Sequence, residues 1–271
     1  MRNFKSASQK WYIVGLMMVF LSVALVGCGT EKSKEPAPQQ NAQPVTLLVS
    51  AAASLTDVLA DIEKEYQKEH PNVSFDFNLG SSGSLQEQIA NGAPADVFIS
   101  AAKNKMDALE EKDLIVKETR KDVVKNTLVL IVANDNDNIK NFADLENAKT
   151  IAMGEPESVP VGKYATEALT SLNLIDKLKA KMVYAKDVRQ VLAYVESGDA
   201  EAGLVYQTDA NISQKVKVAA VADENLHSSL VYPAAVVKES KNQAEAKAFV
   251  DFLSSDKATK LFKKYGFTVI E

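Results

Sequence analysis

The chain has 271 residues, 46% hydrophobic and 25% charged, and its 31 Lys and Arg against 36 Asp and Glu give a formal charge of −5. That acidic balance excludes the basic footprint on which nucleic-acid binding depends, and a single cysteine excludes an intrachain disulfide. With two histidines and no G-x-S-x-G, H-E-x-x-H or Walker loop, hydrolase, zinc-peptidase and nucleotide chemistry lack their parts.

Arg2, Lys5 and Lys10 precede a run, 11–26, that is apolar except for Gly15 and Ser22. A cationic start followed by an apolar run shorter than the roughly 20 residues of a spanning helix reads as a signal peptide, 1–27. The run ends in Leu25-Val26-Gly27-Cys28, which resembles the bacterial lipoprotein consensus. On that reading Cys28 becomes the mature N-terminus and carries a thioether diacylglycerol; the alternative is an incidental cysteine beside an ordinary cleavage site. Loss of Arg2, Lys5 and Lys10 with the leader takes the formal charge to −8. Residues 28–44 are polar and proline-bearing, without periodicity, and read as a flexible tether.

From residue 45 the pattern alternates. Residues 45–50 read as a strand running through Ala51, Ala52 and Ala53 into a helix marked by Leu55, Val58, Leu59, Ile62 and Tyr66. Val73, Phe75 and Phe77 alternate as a half-buried strand, and Gly80-Ser81-Ser82-Gly83-Ser84 leads into a short helix ending near Gly92. Strands follow at 96–100, 128–133, 151–153, 182–184, 203–206, 216–220 and 231–237. Helices are expected at 103–112, around 164–172 and 188–195, and at 244–253 and 257–265, with Gly266 placed to stop the last. This alternation predicts an α/β fold with mainly parallel sheets. Periodicity leaves open whether it is one doubly wound sheet or two lobes around a cleft.

Several strand-to-helix turns carry groups suited to an anion. Ser54 with Asp57, and Ser84 with Glu87, form S-x-x-D/E capping patterns, with Ser81 and Ser82 in the loop before the second. Free first-turn N–H groups and the helix dipole both favour negative charge there, although most serines in such positions merely cap. The loop 155–162 brings the Val161 and Gly162 amides to the next helix start, and Lys186-Asp187-Val188-Arg189 opens another, with Asp187 as cap. Tyr206 ends a strand, where its hydroxyl faces either a ligand or the core.

Taken together, AAASLTDVL at 51–59, GSSGSLQEQIANGAPADVFISA at 80–101, GEPESVPVGKYATEAL at 154–169, AKDVRQVLAYVESGDAEAGLVY at 185–206, YPAAVV at 232–237 and KKYGF at 263–267 resemble the molybdate-binding proteins of bacterial ABC importers, in their lipoprotein form. The resemblance implies an α/β, two-lobed periplasmic-binding-protein fold (type II) with the ligand in the hinge cleft. It sets one lobe at 45–126 plus 234–271 and the other at 127–233. It implies a non-enzymatic receptor that holds molybdate, and tungstate, without a cation or cofactor. The donors it implies are the hydroxyls of Ser54 and Ser82, the amides of Val161 and Val188, and the Tyr206 hydroxyl. It further implies a monomer, lipid-anchored on the extracytoplasmic face, that hands its ligand to a membrane permease. This sequence has Val161 where many relatives carry alanine and Gly83 where their loop is richer in serine; an amide donor is independent of its side chain.

Two competing readings stand beside it. An S-x-x-K pattern occurs at Ser100/Lys103 and at Ser254/Lys257 without its companion motifs, and His70 and His227 read as surface histidines. A small organic acid would call for an arginine fork; Arg120 and Arg189 are the arginines past the leader, and Arg189, next to Val188, is the one placed to supply it.

Overall fold

The computed structural model describes residues 43–270; the expected leader 1–27, Cys28 and the expected tether as far as residue 42 lie outside the described residues. In chain order the strands are β1 (Val45–Ala52), β2 (Val73–Gly80), β3 (Val97–Ile99), β4 (Lys121–Lys125), β5 (Leu128–Ala133), β6 (Ile151–Gly154), β7 (Met182–Ala185), β8 (Ala202–Tyr206), β9 (Val216–Val221), β10 (Val231–Val236) and β11 (Thr268–Val269). The α-helices are α1 (Thr56–Gln67), α2 (Ser82–Ala90), α3 (Lys103–Glu111), α4 (Pro160–Ser171), α5 (Ile175–Leu178), α6 (Val188–Ser197), α7 (Gln207–Asn211), α8 (Gln243–Phe252) and α9 (Asp256–Lys264).

Two sheets result, so the single doubly wound sheet is excluded. The first runs β11-β4-β10-β3-β1-β2 and the second β7-β6-β8-β5-β9. The expectation of mainly parallel sheets is corrected: among the described residues four pairings are parallel and five antiparallel. A parallel pair requires a long crossover, supplied here by the helices between β1, β2 and β3 and between β6, β7 and β8. β4 and β5 have no such helix between them. Only Asn126 and Thr127 separate them, and the chain passes from the first sheet to the second there. β10 brings it back after β9.

β5 and β10 are buried almost throughout because each sits inside its sheet. Pro233 within β10 has no N–H to give, and the register with β4 shifts between Tyr232 and Pro233. At the other end of the chain, Phe262 and Ala258 bury one face of α9, and Gly266 at φ +93° stops it. Gly266 N–H donates to the Lys263 carbonyl and Phe267 N–H to that of Phe262, the paired bonds of a Schellman stop. Among the described residues no helix is long and apolar enough to cross a membrane.

The carboxyl ends of β1, β2, β6, β7 and β8 all run into helix starts or turns that face one cavity or its rim. Crevices at the carboxyl ends of α/β strands are where such folds bind ligands.

Candidate functional site

Ser54, Ser82, Val161, Val188 and Tyr206, the five donors expected from the sequence, line a single small cavity of about 10 Å³ together with Ser81. Every residue lining it is uncharged.

Ser54 lies in the 3₁₀ turn Ala53–Leu55 that joins β1 to α1. It does not cap α1, contrary to the S-x-x-D expectation: the cap position falls on Leu55, with no side-chain bond. The extra turn moves Ser54 out of capping range and leaves its buried hydroxyl 2.9 Å from that of Tyr232. Asp57 pairs with Arg189 instead.

The Ser84/Glu87 cap is likewise corrected. The N-cap of α2 is Ser81, whose Oγ accepts the Ser84 N–H at 3.2 Å and donates to Ser84 Oγ at 2.8 Å. Ser82 is the first helical residue and fully buried. Its Oγ accepts the Ala101 N–H at 2.8 Å, so its one proton is left over. The two neighbouring serines thus divide the work, one closing the helix and one holding a donor at the cavity.

Pro160 opens α4 and has no N–H, which makes Val161 the first donor of that helix. The Gly162 amide, expected beside it, is taken by the Val159 carbonyl at 2.9 Å, as the first turn tightens. Asp187 caps α6 by accepting the Gln190 N–H at 2.9 Å, and the Val188 amide is among the first-turn donors that helix geometry leaves without an internal partner.

Tyr206 ends β8 at 1% exposure, and its hydroxyl has no hydrogen-bond partner. Burial holds its pKa well above the ordinary tyrosine value, so it stays a protonated donor. A buried hydroxyl without a partner costs about 1–3 kcal/mol, a cost that a ligand oxygen would remove.

Arg189 is already engaged and does not line the cavity. Its Nη2 donates to Asp57 Oδ2 at 2.7 Å, and its Nε lies 2.7 Å from Asp209 Oδ1 without hydrogen-bond alignment. Asp209 is wholly buried; burial pushes its carboxyl up to about 7 against the pull of Arg189. Arg120 is held by Glu110 and Asp107. Neither fork is free for an organic acid.

The histidines are half-buried rather than fully on the surface, because each lies against a tyrosine. His70 stacks on Tyr66 at 4.2 Å, and His227 meets the Tyr164 ring edge-on at 5.9 Å. Among the described residues no group of His, Cys, Asp and Glu could hold a metal ion.

Two residues escaped the sequence reading. Tyr232 and Asn126 touch the site through Ser54, their hydroxyl and amide meeting at 3.2 Å. The available signal was a tyrosine in the otherwise apolar β10, since a buried phenol seeks a partner. The two segments that bear the donors also touch over the cavity: Gly83 N–H donates to the Ser158 carbonyl at 2.9 Å, and a Cβ on Gly83 would lie 2.4 Å from that oxygen.

Comparison with known proteins gives a consistent set. The family described as bacterial extracellular solute-binding protein matches residues 47–268. A candidate ABC transporter substrate-binding lipoprotein of Bacillus subtilis (strain 168) is 46% identical over 256 residues, 94% of this chain and 96% of its own. The molybdate-binding protein ModA of Haemophilus influenzae is 45% identical over 81% of this chain and 89% of its own. Among solved structures, the periplasmic molybdate-binding protein of Azotobacter vinelandii superposes with a TM-score of 0.76 at 25% identity, covering 83% of this chain and 100% of that one.

Proposed function

The chain belongs to the family of bacterial extracellular solute-binding proteins, and from that premise we propose that it captures molybdate outside the cytoplasm and delivers it to the permease of an ABC importer. Tungstate, nearly the same size and charge, is a second ligand. The role is that of a receptor, with no reaction and no cofactor.

The observation that carries this reading is the Tyr206 hydroxyl, buried, protonated and unpartnered in a cavity lined by uncharged residues. Ser54 and Ser82 add hydroxyls, and Val161 and Val188 add amides at helix starts. Such neutral dipoles stabilise a buried dianion without the desolvation cost of a lysine or arginine beside it. Donors alone also discriminate. Molybdate, tungstate and sulfate are fully deprotonated near neutral pH, whereas phosphate keeps a proton that needs an acceptor. Sulfate has the charge but shorter bonds, which leave its oxygens out of reach of donors set for a larger ion.

In this reading the lobes are 45–126 plus 234–271 and 127–233. The strand partners support that division, with the return crossing just before β10, whose Val231 already pairs with β4. The lobes close about the β4–β5 and β9–β10 connections, ligand stabilises the closed form, and that form docks on the permease. The Gly83 to Ser158 contact suits a closed cleft. Cys28 bears the lipid that holds a monomeric receptor at the membrane, a reading supported by the lipoprotein name of the Bacillus subtilis relative.

The test is uptake. Cells lacking this chain should accumulate molybdate more slowly at low external concentration, and the wild-type chain should restore the rate while a Ser54→Ala/Tyr206→Phe double variant does not. Accumulation unaffected by the deletion would contradict the proposal.

A further inference from the structure

We propose that Asn126 and Tyr232 fix the direction of the Ser54 hydroxyl proton, so that Ser54 meets the bound oxyanion as a donor and not as an acceptor. The inference deepens the oxyanion reading and rests on it.

The direction follows from counting protons. Asn126 Oδ1 accepts the Thr127 N–H at 2.9 Å. An N–H needs an oxygen opposite it, which settles the orientation of the amide. Nδ2 therefore faces the other two neighbours, Thr208 Oγ1 at 2.8 Å and Tyr232 Oη at 3.2 Å, and has one hydrogen for each. Tyr232 Oη receives one of these and owns a single proton. The other hydrogen bond that Tyr232 Oη makes is with Ser54 Oγ at 2.9 Å, whereas the nearby Tyr206 hydroxyl is not aligned to pair with it, so the phenol proton goes to Ser54. Ser54 Oγ is then the acceptor of that pair, and its own proton is directed to the cavity that Ser54 lines.

Ser82 reaches the same state by a shorter route, because the Ala101 N–H occupies its oxygen. The Tyr206 hydroxyl has no aligned hydrogen-bond partner among the described residues. Three hydroxyls thus arrive at one cavity with their protons free. The Ser54 to Tyr232 step is shielded from water that could reverse it, since Ser54, Thr208 and Tyr232 are 3%, 3% and 0% exposed, while the anchor Asn126 is half-buried. Its anchor is Asn126, in the two-residue link between β4 and β5, and its middle is on β10, which carries the chain back. The Ser54 donor is therefore fixed from the two segments that join the sheets.

The consequence is specificity. With the relay as it stands, Ser54 suits an oxyanion that accepts at every oxygen. Reversed, it would present a lone pair, which repels molybdate and suits the proton of hydrogenphosphate. Asn126→Asp reverses it, because an acceptor then stands where Nδ2 stood.

Two measurements on the full chain in detergent test this. Neutron diffraction of the ligand-free protein exchanged into heavy water should show deuterium on Tyr232 Oη pointing to Ser54 Oγ; deuterium on Ser54 Oγ pointing to Tyr232 overturns the proposal. In calorimetric titration with sodium molybdate, Tyr232→Phe should weaken binding about tenfold, yet by less than about twofold in the Ser54→Ala background, since coupled residues are non-additive. Full independent effects in both backgrounds, or an Asn126→Asp variant with wild-type affinity for molybdate, overturn it. Asn126→Asp should also gain measurable affinity for hydrogenphosphate. A wild-type chain that binds no oxyanion refutes the functional reading instead, and the deuterium positions still decide the relay.

Discussion

Arg189, at the start of α6, donates to Asp57, in the first turn of α1, at 2.7 Å. The bond ties a helix that follows β7 of the second sheet to one that follows β1 of the first, a few residues from Val188 and Ser54, two of the proposed donors. The pair is partly exposed, at 24% and 41% for its two side chains, so its worth is about 0.2–1 kcal/mol rather than that of a buried bridge. If it helps hold the ligand-bound form, Asp57→Asn weakens molybdate binding by that amount at low salt, and high salt narrows the gap. Equal affinities of variant and wild type at low salt would remove the ion pair from the account.

Tyr206→Phe should move stability and binding in opposite directions. The hydroxyl has no aligned protein partner among the described residues, so its removal should leave the melting temperature unchanged or raise it. Binding loses a bond to a charged ligand, worth about 1.5–3 kcal/mol. Scanning calorimetry without ligand and titration with molybdate read the two effects separately. A lower melting temperature for the empty variant would mean that the hydroxyl has a structural role.

Gly83→Ala tests the contact over the cavity. The added methyl would stand 2.4 Å from the Ser158 carbonyl oxygen, a backbone atom that cannot rotate away. Overpacking of this kind costs about 1–3 kcal/mol, and here the cost falls on the closed arrangement. Molybdate should leave the variant faster while its arrival rate stays near that of wild type, as stopped-flow competition would show. Unchanged dissociation would mean that the two segments need not touch when ligand is bound.

The buried Asp209 predicts a pH dependence of stability. Its folded pKa is pushed up to about 7, from 3.8, mainly by burial. Over that interval the folded protein keeps a proton that the unfolded chain releases. Stability from this group is therefore full below the ordinary carboxylate value and is lost as pH rises through the folded pKa. Urea unfolding of the ligand-free protein between about pH 5 and 8 should show wild type losing stability relative to Asp209→Asn. Parallel curves for the two would place the Asp209 pKa outside this range.

What was legible in the sequence was whatever is encoded locally. Period-2 and period-3.6 patterns located β1, α1, β5 and α6, and the turns after strands marked helix starts where an anion could sit. A serine at a helix start looks the same, however, whether it closes its own helix or serves something distant. Ser81 takes the N–H of Ser84, three residues on, whereas Ser54 meets a tyrosine 178 residues away. Only the fold separates these cases. The strand directions were misjudged for a related reason: β4, with lysines at both ends, gave no strand pattern of its own, and without it the β4–β5 passage between sheets was invisible. Resemblance to a family supplied the expected donor set; the geometry gathers those residues around one cavity.

The most direct test is calorimetric titration of the full chain with molybdate, tungstate, sulfate and phosphate. Molybdate and tungstate should each bind tightly and one-to-one, with no heat from sulfate or phosphate. Equal binding of sulfate, or heat from phosphate alone, would contradict a donor-only cavity shaped for the larger oxyanion.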